Sequence, residues 1–93
     1  MRTGSCHLQI LIPESFSLKD KRRVMNSVKQ RLKNRFNVSV VELHSDQRWN
    51  LGELGLAFVS EDETAIHQIM DQVTRFVEED DRYEIIKVEV QIY

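Results

Sequence analysis

Apolar and polar residues alternate with a period of two in four short stretches of the chain, which is the pattern of half-buried β-strands. These stretches are residues 5–12, 38–43, 51–59 and 83–93. Pro13 ends the first stretch, because proline cannot donate a hydrogen bond to a sheet ladder. In the second, the alternation slips at adjacent valines, which predicts either a bulge or a strand that is apolar on both faces.

Two stretches between these strands instead repeat apolar residues at helical spacing. Ser17 is a suitable N-cap for a helix over 18–36, and Asn37 is suited to a left-handed C-cap. Ser60 and Glu63 form a capping box for a second helix that ends near residue 78. The predicted core stripes are Leu18, Met25, Val28, Leu32 and Phe36 on the first helix, and Ile66, Ile69, Val73, Phe76 and Val77 on the second.

The predicted element order is therefore β-α-β-β-α-β. Right-handed crossovers in each β-α-β half give a four-stranded antiparallel sheet with both helices on one face and strands one and three in the centre. We expect an α+β, ferredoxin-like fold in a single domain over residues 1–93, since 93 residues suffice for one ordinary domain.

The composition of the chain also indicates the cellular compartment in which we expect the protein. With 41% apolar and 30% charged residues, the chain has the composition of a globular protein. The lone cysteine, Cys6, cannot form an internal disulfide, and its place in the first strand predicts a buried thiol. No signal peptide or membrane span is evident. We expect a cytoplasmic protein without membrane contact.

The charges are segregated along the chain. Residues 19–35 contain eight basic residues and one acidic residue, a formal charge of +7, whereas residues 61–89 contain ten acidic and three basic residues, a charge of −7. Helical spacing places Lys19, Arg22, Asn26, Lys29 and Lys33 on one ridge opposite the core stripe.

This basic ridge favours two interpretations. Either it binds an anionic partner, such as RNA, the ribosome or an acidic protein, or it is a solvated face that pairs internally with acids of the second helix. The candidate RNA- or anion-binding residues are Lys19, Arg22, Arg23, Lys29 and Lys33.

The third strand is apolar on both faces, with Ala57 and Val59 on the side opposite its large residues. This pattern predicts that the helix-free face of the sheet is covered, and a second copy of the chain is the expected cover. The candidate residues for a homodimer face are Leu11, Leu54, Leu56 and Phe58.

Candidate chemistry is sparse. The three histidines are far apart and lack neighbours at metal-ligand spacing, and no serine has the context of a nucleophile elbow. Residues 44–50, with His44, Asp46, Arg48 and Trp49, form a polar loop that could build a small polar site, or in which Trp49 could be a hydrophobic lid. We expect no metal, no cofactor and no enzymatic activity.

Two segments carry a family resemblance. The sequences Ser17-Leu-Lys-Asp-Lys-Arg-Arg23 and Arg35-Phe-Asn-Val-Ser-Val-Val-Glu42 resemble the YlxP-like family of small bacterial proteins of uncharacterised function. The resemblance implies a ferredoxin-like fold and, through its gene neighbourhoods, a role near RNA or the ribosome. We therefore expect a non-enzymatic RNA- or ribosome-associated module, with a homodimeric protein-interaction or regulatory module that binds no nucleic acid as the alternative.

Overall fold

The computed structural model describes residues 1–44 and 48–93. The elements are β1 (Arg2–Leu11), α1 (Leu18–Arg35), β2 (Ser39–Leu43), β3 (Leu51–Ser60), α2 (Glu63–Glu78) and β4 (Glu84–Ile92). The four strands form one sheet in the order β2-β3-β1-β4, and all three pairings are antiparallel. The predicted α+β, ferredoxin-like architecture with β1 and β3 in the centre is confirmed.

Helix α1 begins as predicted and ends differently. The Ser17 hydroxyl accepts a hydrogen bond from the backbone N–H of Asp20 at 3.1 Å, which satisfies one of the free donors of the first turn. The predicted left-handed C-cap at Asn37 is wrong, because no residue in the described ranges has a positive φ. The C-cap is instead Phe36 in an extended conformation, so the chain leaves α1 directly toward β2.

Helix α2 begins two residues later than its predicted capping box. Ser60 is the last residue of β3, where it pairs with Arg2 of β1, so it is not available as a cap. Asp62 caps the helix, and its Oδ1 accepts from the backbone N–H of Ala65 at 2.8 Å. Pairing with β1 therefore extends β3 through the position at which local sequence favours a helix start.

The core lies between the sheet and the two helices, and the even-numbered residues of β1 and β3 face it. Leu54, Leu56 and Phe58 are buried there. Their assignment to a homodimer face is therefore wrong, because they cover the helix side of the sheet. The odd-numbered residues of the same strand lie on the helix-free side, where Ala57 and Val59 are exposed and Leu11 of β1 is half-buried.

The sheet has one register shift in β4, not the bulge suggested for β2. Gln9 pairs with Lys87 while Ile10 pairs with Ile85, which leaves Ile86 as the extra residue. For β2 the other prediction, a strand that is apolar on both faces, is correct. Its pairing with β3 is regular, with Val40 buried and Val41 exposed on the opposite face.

A cationic helix face and an open sheet face as candidate functional sites

The cations of α1 divide into an internal set and an exposed set. Lys21 is buried, and its ammonium donates to the carbonyl of Arg48 at 2.8 Å. The Lys29 ammonium lies 3.6 Å from a carboxylate oxygen of Glu42 on β2. Among the described residues, the ion pairs of α1 run to β2 and to the turn after α2, and none joins α1 to α2 itself. Internal pairing thus uses part of the basic helix without neutralising it.

Besides the paired Arg31, five cations are exposed on α1. Arg35 lies at the end of the helix beside α2, and we call the other four the cationic face: Lys19, Arg22, Arg23 and Lys33. None of the four has an ion pair with any described residue. Lys19, Arg22 and Lys33 lie on the side of α1 away from the core and toward β2. Arg23 lines the groove toward the turn after α2, and Arg31 projects from the flank that faces α2. Lys29, predicted as a fifth member, is half-buried against Glu42 and does not belong to this exposed set.

Exposed aromatic side chains lie at the N-terminal end of this face. The buried Ser15 hydroxyl donates to the carbonyl of Trp49, which fixes the end of the β2–β3 connection beside the start of α1. Trp49 is 53% exposed and Phe16 is 77% exposed. Cations with adjacent exposed aromatic rings are the combination that binds single-stranded nucleic acid.

The opposite flank of α1 is fixed by a carboxylate held between two arginines. Asp80 Oδ2 accepts from Arg31 and from Arg82, each at 2.6 Å, and its Oδ1 accepts from the backbone N–H of Arg82 at 2.9 Å. The hydrogen bonds from Arg82, more than those from Arg31, lower the pKa of Asp80 from 3.8 to about 2. The Arg31 guanidinium also lies 4.9 Å from the ring centroid of Phe76 on α2. These contacts set the orientation of α1 and therefore of its cationic face.

A groove of about 470 Å³ lies between the start of α1 and the turn after α2. Ile12, Pro13 and Val24 contribute apolar lining. Its charged lining consists of Glu14, Asp20, Arg23, Asp81 and Arg82. Because acids outnumber bases there, the groove does not favour a phosphate.

The helix-free face of the sheet carries a polar cluster that crosses three strands. His7 Nε2 lies 2.7 Å from a carboxylate oxygen of the buried Glu53, and His7 Nδ1 lies 3.8 Å from Glu89. Lys87 lies 3.0 Å from Glu89 and lowers the pKa of that carboxyl group. Both ring nitrogens of His7 are thus within reach of carboxylates. Among residues 1–44 and 48–93 neither nitrogen has a hydrogen bond to a hydroxyl, which is the contact that a nucleophile and its base would make.

The remaining chemical candidates give no further site. His44 is exposed, Asp46 lies outside the described residues, and Trp49 has been placed beside α1. Burial raises the pKa of the Cys6 thiol to about 11, which keeps it protonated. Residues 1–44 and 48–93 contain no group of three His, Cys, Asp or Glu side chains placed to hold a metal ion. In the same ranges no helix has the length and apolarity needed to cross a bilayer.

Sequence reasoning found most of the cationic face and missed the cluster around His7. The parity of β1, β3 and β4 already placed His7, Glu53 and Glu89 on the helix-free side. Their proximity depends on strand register, which no local pattern supplied. Phe16 was missed because it precedes the helix and belongs to no periodic pattern, although an aromatic residue next to an N-cap and a basic turn is a usable signal.

The fold defines the class of the protein, an α+β domain of the ferredoxin-like type. Two solved structures of designed proteins share it. The de novo designed protein Foldit4 matches with a TM-score of 0.54 at 14% identity, covering 100% of this chain and 97% of that one. The de novo designed protein LFR1 1 with ferredoxin fold matches with a TM-score of 0.51 at 15% identity, covering 100% and 84%. At such identities the likeness shows the fold alone.

The family follows from sequence. Residues 3–90 match the model of a protein family of unknown function, DUF503, and the chain belongs to that family. The chain is also 29% identical over 75 residues to the uncharacterized protein YlxP of Bacillus subtilis (strain 168), a match that covers 81% of this chain and 82% of that protein. The resemblance to YlxP-like proteins is confirmed.

Proposed function

We propose that this protein is a non-enzymatic RNA-binding module that contacts RNA or the ribosome through the cationic face of α1. The observation that carries the proposal is the exposure of Lys19, Arg22, Arg23 and Lys33, none of which has an acidic partner among the described residues. Four unpaired cations on one helix repel one another, and phosphate groups relieve that repulsion while releasing their counterions.

Two further features support this proposal. Phe16 and Trp49 present exposed rings at the end of the cationic face, where unpaired bases could stack on them. Arg31 and Lys29 fix both flanks of α1, through Asp80 and Glu42, so the helix presents its free cations without rearrangement. Phe58 of the central strand is buried under the helices, so the proposed contact uses a helix and not the sheet.

The test is a fluorescence-anisotropy titration of a labelled single-stranded RNA of about 16 nucleotides and a labelled ribosomal RNA hairpin. Salt is varied from about 50 mM to about 200 mM. Four phosphate contacts on a single strand predict a slope of log K against log salt of about −2.8. The variant Arg22→Gln/Lys33→Gln removes two of the four cations, both outside the groove that has more acids than bases, and should halve that slope.

The matched control is Arg2→Gln/Arg75→Gln, which changes the net charge equally at exposed positions outside α1. It should bind RNA like the wild type. Absence of wild-type binding to either RNA contradicts the proposal. Equal losses in the two double variants also contradict it, because they would show a response to total charge and not to the cationic face.

A further inference from the structure

Strand β4 is an edge strand whose exposed side chains have an unusual distribution. Ile86, Val88 and Val90 point to the helix side of the sheet, yet they are 49%, 41% and 38% exposed. On the opposite side the strand carries Lys87 and Glu89. A nine-residue edge strand with three partly exposed apolar side chains favours pairing with another strand.

The hydrogen bonds of β4 show which of its backbone groups are free. Thr3 and Tyr93 exchange both backbone hydrogen bonds, at 3.1 and 2.8 Å. In an antiparallel ladder such pairs alternate, so Gln91, Glu89 and Lys87 also direct their N–H and C=O groups toward β1. The backbone groups of Val88 and Val90 consequently point away from the sheet, to the free edge.

We infer that β4 pairs antiparallel with β4 of a second copy of this chain, about a two-fold axis at Val88. In this register Val88 faces Val88 of the second copy as a hydrogen-bonded pair. Lys87 faces Glu89 of the second copy, and Glu89 faces Lys87 of the second copy. Both are non-hydrogen-bonded pairs, the positions of an antiparallel ladder at which opposing side chains are closest. Ile86 lies beside Val90 of the second copy on the helix side.

The charges select this register over its neighbours. An axis at Lys87 would oppose two lysines, and an axis at Glu89 would oppose two glutamates, and like charges directly opposite one another destabilise a strand pair. An axis at Val90 would place Glu89 opposite Gln91 and leave Lys87 opposite Tyr93. Of these four positions for the axis, only Val88 brings Lys87 and Glu89 each opposite a residue of the other charge. The two-fold symmetry produces this pairing twice.

This inference replaces the sheet-face dimer predicted from the sequence, since three of its four residues are core residues. It also does not depend on RNA binding, because the cationic face is on α1, which packs over β2 and β3 at the other side of the sheet. The dimer would join two sheets into one of eight strands, with both cationic faces at its outer ends.

The test is the molar mass from light scattering and sedimentation equilibrium between about 1 µM and about 1 mM protein. The chain mass is 11.0 kDa, and a dimer has twice that mass. Lys87→Glu and Glu89→Lys each place like charges opposite one another at both pairs. Each should raise the dimer dissociation constant at least about tenfold, because two pairs change from attractive to repulsive.

Two rescues make the test specific for this register. The double variant Lys87→Glu/Glu89→Lys restores opposite charges and should restore the dimer. An equimolar mixture of the two single variants should form a mixed dimer, because one then offers two acids where the other offers two bases. Circular dichroism and thermal melts establish that each variant is folded.

Val59→Lys, on the helix-free face, is the control for a sheet-face dimer and should leave the mass unchanged. A wild-type mass of one chain at every concentration overturns the inference. A dimer that Val59→Lys dissociates, or that neither single β4 variant weakens, overturns it as well.

Discussion

Asp80 is the best place to measure what holds α1 in position. The substitution Asp80→Asn keeps a similar shape and an oxygen that can still accept from the backbone N–H of Arg82, but it removes the charge shared by Arg31 and Arg82. Asp81→Asn is the matched control, because it removes the same charge one residue away, at an exposed position whose side chain has no hydrogen bond or ion pair with the described residues.

The expected magnitude follows from the pKa of Asp80, which folding lowers from 3.8 to about 2. At about 1.4 kcal/mol for each pKa unit, this depression corresponds to about 2.4 kcal/mol of stability. Both arginine side chains are 43% exposed, so solvent screens the interaction. We therefore expect Asp80→Asn to reduce the free energy of unfolding by about 1–2 kcal/mol at neutral pH.

The pH dependence has a definite sign. Because the folded pKa of Asp80 is the lower one, the stabilisation is present above about pH 4 and is lost as the pH falls toward about 2. Urea unfolding followed by circular dichroism, from about pH 6 down to about pH 3, should show the wild type converging on Asp80→Asn. The reasoning is refuted if Asp80→Asn matches Asp81→Asn at neutral pH, or if its deficit does not change with pH.

Two further pairs of substitutions test the packing of the core and the N-cap of α2. Gly52→Ala should destabilise the fold by about 1–3 kcal/mol in the same urea assay, because the added Cβ would meet the Met25 side chain, with Cε at 2.8 Å. Gly55→Ala, on the open sheet face, should be nearly neutral, and equal effects at the two glycines would contradict this packing. Asp62→Ala should lower the free energy of unfolding by about 1 kcal/mol through loss of the α2 cap, whereas Ser60→Ala should lower it much less. A larger effect of Ser60→Ala would contradict the cap at Asp62 and support the capping box predicted from the sequence.

The sequence predicted those features that local periodicity determines. Helical spacing placed Val28 and Val73 on the core stripes of the two helices, as the structure shows. These predictions succeed because side-chain direction along a strand or helix repeats with a fixed period, whatever the rest of the chain does. Periodicity alone also located three of the four cations of the predicted basic ridge, Lys19, Arg22 and Lys33, correctly on the exposed side of α1.

The failures concern relations between elements. The side of β3 that faces the helices was not fixed by its own pattern, so Leu54 was assigned both to the strand's apolar face and to a dimer surface. Lys29 was placed on the free ridge because its partner, Glu42, lies on a separate strand. The exposure of Val88 depends on how far the helices extend over the edge of the sheet, and this cannot be predicted from the sequence of one strand.

The separation of charge between α1 and the second half of the chain affects how the binding of a polyanion would depend on ionic strength. The molecule is 42 Å long in its largest dimension, whereas electrostatic fields in water decay over about 10 Å at 0.1 M salt. At that salt a polyanion beside α1 responds to the charges within about 10 Å, including Asp80 and Asp81 beside the helix, and not to the net charge of −2. On dilution to about 0.01 M the decay length grows to about 30 Å, so the more distant acids of the chain come into range and reduce the gain in attraction. Moderate salt is thus the condition in which the local charge around α1 decides the binding of a polyanion, and dilute buffer the one in which distant acids oppose it.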